Sequence, residues 1–201
     1  MSNTLAPFGF RHIGFLSGFS PDFQMATRQL DSANTTKIYF GDPVVKDATT
    51  QYIEQGANNT TTLEGIFAGC VYIPTAGLAI PTWSPFWPGA AAATATAYVI
   101  NAPGALFLAQ ALNTAIPASA IGQNIGFAIG TGSTVGAGLS GATLDQSTLS
   151  TTNTMPFQVV GLYGGSGNFG GVGNGSDSTS AYNWAVVTFN NQRFKQLTGV
   201  A

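Results

Sequence analysis

Charge is what this sequence has least of. Of its 201 residues only 7% are Asp, Glu, Lys or Arg, against about 25% in an ordinary soluble domain. Arg11, Arg28, Lys37 and Lys46 lie early and Arg193 and Lys195 late, and the net charge is −2. A phosphate backbone is held by a basic stripe, so no nucleic acid is expected as a partner. There is one cysteine, Cys70, and one histidine, His12. That pair cannot build a structural zinc site, and the acids lack calcium-loop spacing, so neither metal nor cofactor is expected. A single thiol makes no intrachain disulfide, which fits synthesis in a reducing cytoplasm. Long hydrophobic runs are missing too. The stretch from Ala90 to Leu112 is interrupted by Asn101, Pro103 and Gly104, falls short of the ~18 residues needed to cross hydrocarbon, and has no flanking Lys or Arg. No membrane partner is expected. The opening "MSNTLAPFGFRHIGF" lacks a basic region before an unbroken apolar core, so no secretory signal is expected either.

Catalytic constellations are equally sparse. Cys70 follows a glycine in an apolar stretch with no basic neighbour, which favours burial as a small hydrophobe over a thiolate activated by His12. A carboxylate pair for glycoside chemistry would have to come from Asp42, Asp47, Glu54 or Glu64. Turn positions account for Asp42 and Asp47. Gly165 to Gly170 matches G-x-G-x-x-G, but no helix pattern follows to meet a pyrophosphate. No enzymatic activity is expected.

Apolar residues make up 44% of the chain, an ordinary share, so charge has been replaced by Gly, Ser, Thr and Asn. Between Glu64 and Arg193 only Asp145 and Asp177 are ionised. Neutral polar surfaces cost less to desolvate than charged ones, which suits protein surfaces that pack side by side.

Residues 1–35 read as an extended arm, because Phe8, Phe10, Phe15, Phe19 and Phe23 sit among Gly, Ser and Pro without period. Such a segment must lie on its own domain or on a neighbour. Residues 36–201 read as one all-β domain, a small antiparallel barrel or sandwich, with turn signals every 8–12 residues or so. Strands are predicted around Gly41-Asp42-Pro43, over Leu63–Ile73 with Gly65 and Gly69 as bulge or close-approach points, and over Thr94–Asn101. "QNIGFAIG", "PFQVVGLYG" and "YNWAVVTFNNQRF" supply more, and "ALFLAQAL" reads as strand or short helix. Gly164 to Ser180 reads as a mobile loop. The charge-free run "GIFAGCVYIPTAGLAIPTWSPFWPG" ends in a proline-braced aromatic cluster. Rings held this way make rigid contact area, either at an interface or capping the domain's own core.

The order of "APFGFRHIG", "IYFGDPVVK", "GIFAGCVYI…SPFWP" and "AYVINAPGALFLAQA" resembles a family of tailed-bacteriophage capsid decoration (cement) proteins. "GTGSTVGAGLSGATLD" and "VVGLYG" extend the resemblance over nearly the whole chain. It departs from the family in its uncharged middle and in carrying His12 where a proline commonly follows the opening Phe-Arg. The resemblance implies a jelly-roll or tulip-like β-fold with an N-terminal arm. It also implies a place on the outer capsid surface of a virion assembled in a bacterial cytoplasm. The implied partners are the major capsid protein and copies of itself, a homotrimer ahead of a homodimer. The alternative is another phage structural protein, such as a tail-tube, fibre or head-fibre base protein. Phe8, Phe10, Arg11, His12 and Phe15 of the arm, with Trp83, Phe86 and Trp87, are the expected capsid or subunit contacts.

Overall fold

Turn chemistry fixes the first landmark. Gly41 adopts φ +92°, where a side chain would be strained, and Pro43 opens the strand that follows. The computed structural model describes residues 2–18, 20–21, 24–58, 60–134, 138–164 and 170–195. Its strands in chain order are β1 (Arg11–Phe15), β2 (Ala26–Leu30), β3 (Pro43–Lys46), β4 (Ile53–Gln55), β5 (Gly65–Tyr72), β6 (Thr82–Ser84), β7 (Ala95–Ile100), β8 (Ala105–Gln110), β9 (Asn124–Ala128), β10 (Thr143–Ser150), β11 (Phe157–Leu162) and β12 (Trp184–Phe189). A single 3-10 turn at Ala118–Ala120 is the only helical element among the described residues. None of these is a helix long and apolar enough to cross a membrane.

The protein is all-β, built from two antiparallel six-stranded sheets. The first runs β1-β8-β12-β11-β9-β10; the second runs β2-β7-β5-β3-β4, with β6 added beside β5. The first sheet curls back on itself: Leu112 N–H donates to Leu144 O at 2.9 Å, beside a bridge between Ala111 and Leu144. Phe107, Phe127, Phe157 and Phe189 fill its interior together with Ile66, Ala68 and Ile100 from the second sheet. A second cluster, with Leu30, Val44, Phe67, Cys70 and Trp87, covers the opposite face of the second sheet. Every residue of β8 is buried, because Phe8 and Ile13 help cover Leu106 and Leu108 on its outer face. That two-sided burial explains why Ala105 to Ala109 is a continuous apolar run, ended by the buried and hydrogen-bonded Gln110, and it forms strand rather than helix.

The glycines of β5 do what their spacing predicts. A Cβ on Gly65 would sit 2.5 Å from Ile100 O, and Gly69 adopts φ +120°. The register to β7 slips between Phe67 and Cys70, so both point into the same cluster.

The arm's described residues are laid largely on the chain's own sheets, while Phe19 and Phe23 lie outside the described residues. Phe10 stacks on Phe157 with ring centroids 4.4 Å apart, β1 pairs with β8, and β2 pairs with β7. Ahead of Phe10, residues 3–8 form a strap over the first sheet. The Asn3 side-chain amide donates to Asp177 O at 2.8 Å and Ala181 O at 3.2 Å, while its oxygen accepts Gly175 N–H at 2.9 Å. Gln110 accepts Ala6 N–H at 2.9 Å and donates to Thr4 O at 2.9 Å. Part of the loop read as mobile, 165–169, lies outside the described residues. The rest, from Gly170 on, is tied to this strap and to its own Asp177 turn. There the hydroxyls of Ser180 and Thr179 donate to the Asp177 carboxylate and hold its pKa below the ordinary range.

The two sheets are also joined at a buried carboxylate. Asp42 accepts Tyr39 N–H at 2.8 Å, the Gln55 amide at 2.7 Å and the Ser140 hydroxyl. Ser140 in turn accepts Ala142 N–H at 2.8 Å, just ahead of β10. Phe10 N–H donates to Gly41 O at 2.9 Å, so strap, turn and β10 meet at one knot.

Candidate binding surface

His12 and Cys70 pack against different sets of side chains. His12 packs its ring against Phe15 and Phe107, 4.9 and 5.7 Å between centroids, with Nε2 3.0 Å from Gly14 O. Cys70 lies in the other cluster, its sulfur 3.6 Å from Phe86 O, and burial pushes its thiol up to about 12. Glu64 pairs with Arg28, the one salt bridge among the described residues, and Asp47 caps the β3–β4 turn. The Thr50 N–H and hydroxyl lower the Asp47 pKa. Asp42 is shifted the other way, because burial outweighs its three hydrogen bonds. Nothing in the sequence marked that carboxylate as raised. No three His, Cys, Asp or Glu side chains gather as a metal-binding group among the described residues. The G-x-G-x-x-G match lies outside the described residues except for Gly170.

The expected contact residues divide. Phe10 and Trp87 are fully buried, 1% and 0% exposed, and His12 is buried as well. Within the single chain these three are packed in the interior rather than presented on the surface. Trp87 is fixed from several sides: its indole N–H donates to Asn34 O at 2.9 Å and its backbone exchanges hydrogen bonds with Ile38. Phe8 is half-buried edge-on to Trp184 with centroids 4.9 Å apart, and Phe15 is also half-buried. Phe86 is half-buried and stacks on Tyr39 at 6.1 Å. Arg11 remains exposed on β1, an edge strand. Trp83 is 60% exposed.

Trp83 therefore separates from Trp87 and joins a different set. β5 and β6 form a hairpin in which Val71 faces Trp83 and Tyr72 faces Thr82. Its loop, Thr75 to Pro81, is exposed throughout, with Leu78 79% and Ile80 58% exposed. Gly69 leaves room for the Trp83 indole: a Cβ there would meet ring atom Cζ2 at 3.3 Å. Leu78, Ile80 and Trp83 thus present large apolar side chains on one hairpin, within a stretch free of charge from Gly65 to Leu144. Scattered apolar side chains are ordinary on a surface, whereas a grouped set is the mark of an interaction site. Leu78 and Ile80 were not among the expected contacts. Their signal was the run "GLAIP", too apolar for a solvated loop. The loop of the hairpin, Thr75 to Pro81, carries no charged side chain.

Compared with known proteins, the chain matches no family model, no curated protein and no solved structure.

Proposed function

We propose that this chain is a structural virion protein of a bacteriophage, one that binds the outer capsid surface at capsomer junctions and stabilises the mature shell. The observation that carries the reading is the exposed, charge-free β5–β6 hairpin with Leu78, Ile80 and Trp83. It supports docking on protein, since an uncharged apolar tip loses little when water leaves it. The firmly stitched body behind it supports the same reading, because a rigid presenter loses little entropy on binding. Stabilisation would follow from linkage: a ligand that binds the assembled lattice and not separated subunits shifts the balance toward the lattice. Many copies acting together multiply a weak contact.

The test is quantitation of the 20.6 kDa band in purified parent particles on a stained gel. A copy number comparable to the major capsid protein is expected. A few copies per particle would move the protein to the tail, portal or fibre. Absence from the particle would overturn the proposal.

A further inference from the structure

Strap and glycine-rich segment meet at the one Asn-Gly dipeptide in the chain, Asn174-Gly175. In such a pair the glycine nitrogen reaches the preceding side-chain amide with little hindrance, because glycine has no Cβ. Here neither residue is freely exchangeable. Gly175 adopts φ +82°, and a Cβ there would lie 2.2 Å from Trp184 ring atoms. Asn174 brackets Thr4, accepting its N–H at 2.8 Å and donating to its carbonyl at 3.1 Å. A chemically labile pair is thus retained by two structural demands.

Both reacting groups are held by the strap. The Gly175 N–H, whose nitrogen would attack, donates to the Asn3 side-chain oxygen at 2.9 Å. The Asn174 amide, which would be attacked, is pinned at both ends by Thr4. Asn3 itself is buried, 8% exposed.

We propose that Asn174 is a hydrolytic modification site gated by the N-terminal strap, protected while Asn3 and Thr4 are seated and deamidated when they lift. Once freed, the Gly175 nitrogen gives its proton to solvent and bonds to the Asn174 side-chain carbonyl carbon. The bond from that carbon to the amide nitrogen breaks, and ammonia leaves. Water then opens the five-membered imide at either carbonyl, giving aspartate or isoaspartate. One water is consumed and one ammonia released, with no change of oxidation state. The product carboxylate can still accept Thr4 N–H but has nothing to donate to Thr4 O, so two oxygens oppose each other where a hydrogen bond stood. Isoaspartate also lengthens the backbone and shifts Gly175 off the Trp184 ring. The strap then does not reseat, and the event runs one way.

The experiment follows Asn174 by site-resolved mass spectrometry in the full-length protein, held in warm, mildly alkaline buffer. Folded wild type, Asn3→Ala and wild type unfolded in urea are compared. Folded wild type should react slowest and the unfolded chain fastest. Asn3→Ala should react about tenfold faster than wild type, the equivalent of one hydrogen bond. Equal rates for folded and unfolded wild type would overturn the proposal, and so would a folded Asn3→Ala no faster than wild type. If Asn3→Ala does not fold, the wild-type ratio decides. Asn174→Asp, made directly, should lose its N-terminal residues to aminopeptidase faster than wild type; equal resistance would overturn the one-way step.

Discussion

Asp42 is the most informative single position in this fold, and the comparison of Asp42→Ala with Asp42→Asn tests why. The carboxylate is fully buried and carries no ion pair, yet it receives donors from the Tyr39 backbone, the Gln55 amide and the Ser140 hydroxyl. Alanine removes the acceptor for all three. At about 1 kcal/mol for each displaced hydrogen bond, less the relief of an uncompensated charge, the expected loss is about 2–3 kcal/mol. For a chain of this size that lowers the melting temperature by about 4–12 °C. Asparagine fits differently. Tyr39 and Gln55 share one carboxylate oxygen, Oδ2, so one amide oxygen can serve both. The amide nitrogen then faces Ser140 Oγ, which can accept it. Asp42→Asn is therefore expected within about 1 kcal/mol of wild type. The sign with pH is set by the raised pKa. Burial favours the protonated acid, so the Asp42 contribution is fullest below the ordinary value of 3.8 and is lost as pH rises through the shifted one. Asparagine does not titrate, so Asp42→Asn should gain on wild type as pH rises. Urea unfolding followed by tryptophan fluorescence across a pH series reads both effects. An Asp42→Asn variant as damaged as Asp42→Ala, or one that loses ground to wild type with rising pH, would refute the reasoning.

Three other expectations are direct. Trp87→Ala should cost about 3–5 kcal/mol in denaturant unfolding, because the indole is completely buried and hydrogen-bonded. Trp83→Ala should stay within about 0.5 kcal/mol of wild type, as exposed positions usually do, while weakening binding to purified expanded capsids in co-sedimentation. Equal stability losses for the two would show that the hairpin is part of the core. Cys70 should resist alkylation in folded protein at pH values where an ordinary thiol reacts, because it is buried and burial raises its pKa, and it should react promptly once unfolded. Rapid labelling at neutral pH would contradict its burial.

The strands that could be read ahead of the structure are those whose two faces differ or whose both faces are buried. β7 alternates along Ala95–Ile100, and β8 is apolar from Ala105 to Ala109. β10 escaped because its sequence, "TLDQSTLS", is largely polar, as suits the edge strand that it is. β4 and β6 have three residues each, too few for a period to show. β1 and β2 were hidden in the apparent arm, since β1 carries a register shift between His12 and Gly14 and β2 has Thr27, Arg28 and Gln29 at its centre. The exposed apolar hairpin lies in a stretch that was legible as charge-free, but its exposed residues were not legible one by one. Trp83 and Trp87 look alike in sequence; their fates differ because Trp87 is bridged to Ile38, a pairing between distant segments that no local pattern announces.

The order of strands in the first sheet has a consequence for synthesis. β12, the last strand in chain order among the described residues, is not at an edge but between β8 and β11. A nascent or truncated chain that stops before Trp184 leaves β1-β8 on one side and β11-β9-β10 on the other, each with an open edge where the missing strand belongs. Such edges recruit foreign strands, so incomplete chains are marked for aggregation or proteolysis. The Asn3 latch waits on the same late segment, since its partners run from Gly175 to Ala181. The first sheet and the Asn3 latch therefore close only once the segment from Gly175 to Phe189 is in place, and a chain cut short ahead of it lacks both.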